Sequence, residues 1–87
     1  MGVVAPTKTS VTIFYGAESK PFDYDPHEEV RALLARAIAA FHITSNQHLM
    51  ALFTEAGQEL PDNVSLEAAG VKPDEKLILR QSAVRGG

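Results

Sequence analysis

Three histidines, two pairs of carboxylates and a doubled glycine are the residues of this chain whose types could do chemistry. His27, His42 and His48 lack the spacing of a metal-ligand set, and His27 falls in the first turn of a helical pattern, where water is its natural partner. Asp23 with Asp25, and Glu28 with Glu29, stand at a strand edge and ahead of an apolar helical stripe. Carboxylates there serve the backbone and the helix dipole rather than acid–base exchange. No Ser-His-Asp set and no glycine-rich phosphate loop is visible. Cysteine is missing altogether, which excludes a thiol nucleophile, a thiolate zinc site and a disulfide scaffold. An enzyme is not expected, and no metal or cofactor is called for. What is left is the ending, Val84-Arg85-Gly86-Gly87.

These residues ride on a chain of 87 residues, below the roughly 100–200 usual for one domain, so a single core is expected. The supply for that core is adequate, with 45% hydrophobic and 22% charged residues. A formal charge of −3 has the wrong sign for gripping a phosphate backbone, so nucleic acid is not an expected partner. No apolar run approaches the roughly 20 residues of a membrane span, and Pro6 stands where N-myristoylation wants Ser or Thr. A soluble, monomeric, cytoplasmic domain is the expectation.

The apolar pattern sets out the elements in order. Residues 1–8 have no period and read as a flexible arm, followed by a domain over 9–81 and a flexible tail over 82–87. Val11, Ile13 and Tyr15 alternate with Thr12 and Phe14, which is a strand. After Gly16-Ala17-Glu18-Ser19 a second alternation carries Phe22 and Tyr24, and Pro21 confines that strand to a sheet edge. Asp25, Pro26 and Glu28 form a capping-box signal for a helix. Val30, Leu33, Leu34, Ala37, Ile38 and Phe41 then make its apolar stripe, and the helix should end near Phe41–Ile43. Leu49-Met50-Ala51-Leu52-Phe53 is a buried strand, Gln58-Glu59-Leu60 a short return strand, and Lys76 to Gln81 the last strand. Ser65 caps a single turn that Gly70 ends. One helix must cover one face of a mixed sheet, with first and last strands parallel at its centre. The fold class is α+β, a four- to five-stranded β-grasp.

On these residues the sequence resembles a ubiquitin-like protein from Ser10 to Gly87. The ending resembles the Arg-Gly-Gly terminus of ubiquitin, and Ala56-Gly57-Gln58-Glu59-Leu60 its Ala-Gly-Lys-Gln-Leu turn. Gly57 to Leu77 runs beside ubiquitin without a gap, and Val11-Thr12-Ile13-Phe14-Tyr15 is similar to its opening strand. Two adjacent glycines arise by chance at about 0.5%, so the ending gains weight only with the rest of the pattern. The resemblance is to a divergent relative, with the bacterial ubiquitin-like proteins a candidate group.

The resemblance implies a modifier. Gly87 would supply the carboxylate that an activating enzyme adenylates with ATP, passes to a thioester and, with a conjugating enzyme, joins to an amine of a target protein. Gly86 would give the slender approach, since glycine has no Cβ to clash. Arg85 would offer a bidentate handle to a carboxylate of the enzyme. With Gly87 last in the chain, no protease step is implied. Ala83 stands where ubiquitin has an arginine that helps its enzyme choose, which implies a dedicated cognate enzyme. Gln58 and Pro73 replace two chain-forming lysines, leaving Lys20, Lys72 and Lys76 as acceptors. A sulfur carrier ending in a thiocarboxylate, and a non-covalent adaptor or subunit, share the pattern and stay open.

The resemblance also points to the open face of the sheet as the partner-binding face. Gap-free matching puts Thr54 and Arg80 where ubiquitin has aliphatic residues of that face. Strand parity instead predicts a patch of Phe14, Met50, Leu52 and Ile78, with Val11, Ile13, Ala51, Phe53, Leu77 and Leu79 turned to the helix.

Overall fold

The computed structural model describes residues 9–82. Strands β1 (Ser10–Tyr15) and β2 (Glu18–Asp23) form a hairpin, helix α1 (Val30–Ala40) follows, and a 3₁₀ turn (Gln47–Leu49) leads into β3 (Met50–Thr54). Strand β4 (Lys76–Gln81) closes one sheet in the order β2-β1-β4-β3. β1 and β4 are its parallel central pair, and β2 and β3 run antiparallel at the edges. The expected mixed sheet with one helix on one face is what forms, and Pro21 sits on an edge strand as its missing amide requires.

The helix-side core joins Val11 and Ile13 of β1, Leu77 and Leu79 of β4, and Met50 and Leu52 of β3 to Val30, Leu33, Leu34 and Ala37 of α1. Leu60, Leu66 and Val71 close it from the long connection between β3 and β4. Each fully buried Leu or Ile contributes about 1.5–3 kcal/mol relative to exposure.

The helix begins four residues later than the capping signal predicts. Glu28 does reach back to the Asp25 amide, but in a turn ahead of the helix, where the Asp25 carboxylate takes the His27 amide and the Glu28 amide goes to Asp25 O. The Asp25 amide donates to Glu28 Oε1 at 3.4 Å, and the His27 amide to Asp25 Oδ1 at 2.8 Å. The free amides of the helix start meet backbone carbonyls from the loop before Leu66 instead. Val30 N donates to Val64 O at 2.9 Å and Arg31 N to Asp62 O at 3.1 Å. Long-range carbonyls thus do what a capping side chain would have done. At the other end, Ile43 N donates to Ile38 O and His42 takes φ 56°, a Schellman-type stop with histidine in the position glycine usually holds.

The return strand shrinks to one bridge, Phe53 to Glu59, with Leu60 N donating to Leu52 O at 2.9 Å. The turn before it uses Gly57 at φ 89°. The Ser65 turn forms as expected: Ser65 Oγ accepts from Ala68 N at 3.1 Å, and Gly70 follows at φ 89°.

Candidate functional site

The open face of the sheet is assembled by register. Phe14 of β1 is level with Ile78 of β4, and Ile78 is opposite Phe53 of β3. Directly paired residues share a face, so these three side chains form one apolar row across the three strands. Phe14 and Ile78 are half-buried. Phe53 is only 6% exposed, and its ring carries the Arg80 guanidinium 4.1 Å from the centroid. Arg80 stands opposite Ala51, and Lys76 is level with Thr12, so cations lie on both sides of the row. A shallow depression lined by Phe14, Gly16, Glu55, Lys76 and Ile78 holds about 390 Å³. The face is therefore an apolar strip between two exposed cations, able to take an apolar side chain flanked by acidic groups.

Known structures share this fold. A designed protein based on ubiquitin superposes with a TM-score of 0.75 at 16% identity, covering 91% of this chain and 94% of the other. The ubiquitin of Caldiarchaeum subterraneum gives 0.73 at 23% identity, covering 92% and 99%. ATBAG1, solved in complex with HSP70, gives 0.74 at 20% identity over 90% of this chain, which spans only 42% of that protein. No protein-family model matches the sequence, and no curated protein matches it. The chain has the ubiquitin-like β-grasp fold.

Within this ubiquitin-like fold, half of the sequence-predicted patch lies elsewhere. Met50 and Leu52 are 3% and 0% exposed and belong to the helix-side core, so they are not patch residues. Ala51 and Phe53, expected against the helix, take the open face instead. The cause is register: Leu52 pairs with Leu79 and Phe53 with Ile78, and a shift of one residue swaps the two faces of a strand. Thr54 then falls opposite Leu77, on the helix side, so the gap-free matching that placed it on the open face is off by one residue in β3. Arg80 is on the open face, as that matching had it. Phe14 and Ile78 are where parity predicted them. Phe53 is the residue that sequence reasoning missed, and five apolar residues in a row left no alternation from which to read its side.

The other chemical candidates have structural employment. Arg36 forks onto Glu28, with Nη2 donating to Oε1 at 2.8 Å and Nε to Oε2 at 3.2 Å, and Nη2 also reaches Asp23 O at 2.8 Å. His27, His42 and His48 are exposed, and no group of metal-ligating residues occurs among the described residues. Tyr24 is buried, and its hydroxyl lies 3.5 Å from Val71 O, with the phenol donating. Burial raises its pKa, and the negative charges of Glu75 and Asp74 add to that.

Ser82, expected at the start of a loose tail, is 2% exposed and bound on two sides. Its amide donates to Leu49 O at 2.8 Å and its hydroxyl to Glu59 Oε1 at 2.6 Å. Ala83, Arg85, Gly86 and Gly87 lie outside the described residues, as does the arm over 1–8.

Proposed function

We propose that this protein is a ubiquitin-like modifier joined to target amines through Gly87. A cognate activating enzyme adenylates the Gly87 carboxylate with ATP, and thioester transfer through a conjugating enzyme delivers it. The observation that carries this reading is the Arg85-Gly86-Gly87 sequence six to eight residues beyond Leu79, on a chain with a ubiquitin-like fold. Gly86 leaves room for a narrow channel, and Arg85 gives the enzyme a charged handle. Ala83 in place of the enzyme-selecting arginine favours a dedicated activating enzyme. The Phe14–Ile78–Phe53 row, edged by Lys76 and Arg80, is the face on which protein partners recognise the modifier. The setting is the cytoplasm and the acting form a monomer.

A second reading, a non-covalent adaptor acting through that face alone, has the support of the likeness to ATBAG1 solved with HSP70. One experiment separates them. Trypsin cleaves after Arg85, so a conjugate keeps Gly86-Gly87 on a target lysine. An N-terminally tagged chain is expressed in its native host, recovered under denaturing conditions and analysed by mass spectrometry beside a Gly87-deleted control. Lysines carrying the remnant only with the intact chain are the expected result. Their absence, with an unmodified carboxylate, refutes the modifier in favour of the adaptor; a thiocarboxylate refutes it in favour of a sulfur carrier.

A further inference from the structure

Strand β4 is exposed at its end, at Arg80 and Gln81, yet the next residue is buried. Two segments hold Ser82 there. Its amide extends the β3–β4 ladder to Leu49 O, just beyond the Met50–Gln81 pair, at 2.8 Å. Its hydroxyl donates to Glu59 Oε1 at 2.6 Å, within the short range of bonds to an ionised acceptor. Glu59 is itself placed by its bridge to Phe53 and by the adjoining bond from Leu60 N to Leu52 O. The contact joins residues 23 positions apart, so it is a tertiary link and not a feature of the strand's own end.

We propose that Glu59 is a positioning residue, a latch that holds the root of the C-terminal segment through Ser82. The point from which Gly86-Gly87 can be presented is then fixed at the end of β4. Five residues separate that point from the Gly87 end, a reach of at most about 17 Å. Opening the latch frees Ser82 as well and adds about 3.5 Å. The purpose of the latch rests on the conjugation reading, but its existence does not.

Amide hydrogen exchange of the full chain, followed residue by residue by NMR, tests it. In the unaltered protein the Ser82 amide is expected to exchange far more slowly than an unstructured peptide. Losing a hydrogen bond to a charged acceptor shifts an opening equilibrium by about ten- to a hundredfold. Glu59→Ala is therefore expected to speed Ser82 exchange by that factor while the Ile13 amide, in the sheet centre, keeps its rate. Glu59→Gln, which retains an acceptor without the charge, is expected to fall between, and decides the matter alone if Glu59→Ala does not fold. An unprotected Ser82 amide, an unchanged rate on substitution, or equal acceleration at Ile13 overturns the latch. A failure to find Gly-Gly remnants on lysine overturns the modifier reading and leaves the exchange result standing.

Discussion

Replacing Leu52 by alanine removes the branched end of a side chain that has no solvent exposure and lies in the helix-side core. Deletions of this kind cost about 2–5 kcal/mol, the transfer of the lost groups plus the cavity they leave. A value near the middle, about 3 kcal/mol, is expected here, because Leu52 lies opposite Leu79, another fully buried side chain on a paired strand that cannot easily collapse inward. A domain of this size shifts by about 4–8 °C per kcal/mol, so the melting temperature should fall by about 12–24 °C. Ile78→Ala provides the comparison. Ile78 is half-buried on the open face, and its truncation is expected to cost about 1 kcal/mol. Urea unfolding followed by far-UV circular dichroism measures both on the same scale, with an unchanged slope checking that the transition stays two-state. A cost for Leu52→Ala no greater than for Ile78→Ala would refute the register of β3, and with it the placement of Phe53 on the open face.

Three further outcomes follow from single contacts. Tyr24 holds its proton to higher pH when folded than when unfolded, so its contribution is whole below the ordinary tyrosine value of 10.0 and is lost as pH rises through the raised folded value. Stability measured from about pH 8 to about pH 11 should drop less in Tyr24→Phe than in the unaltered protein, and parallel curves would contradict the assignment. Arg36→Ala breaks a forked, partly exposed pair with Glu28 and a bond to Asp23 O, for an expected loss of about 1 kcal/mol in denaturant unfolding that high salt reduces. Gly70→Ala meets no neighbouring atom but must adopt φ 89°, so a loss of about 1–2 kcal/mol without any change in core packing is expected by the same assay.

The modifier reading and the latch meet at the end of β4. Ser82 belongs to the folded domain by burial and hydrogen bonding, so under the modifier reading the segment carrying Gly86-Gly87 starts from a point that the fold holds. The apolar row is assembled by cross-strand pairing of residues from β1, β4 and β3. The row and the latch meet at Phe53, whose side chain belongs to the row and whose backbone bridges to Glu59.

Local periodicity in the sequence was enough for the architecture. The stripe from Val30 to Phe41 can bury itself only as a helix, and the alternation around Ile13 and Leu77 can do so only as strands, because each period belongs to one backbone geometry. The Gly-Gly ending and the lack of cysteine are also matters of sequence alone. The tertiary structure decided whatever depended on partners distant in the chain. Five consecutive apolar residues carry no parity, so only the pairing of Leu52 with Leu79 could send Phe53 to the open face. A capping signal specifies a turn, but carbonyls from Asp62 and Val64 determined where the helix began. Glu59 and Ser82 look like ordinary surface residues in the sequence, and they became a contact because folding brought the turn after β3 against the exit of β4.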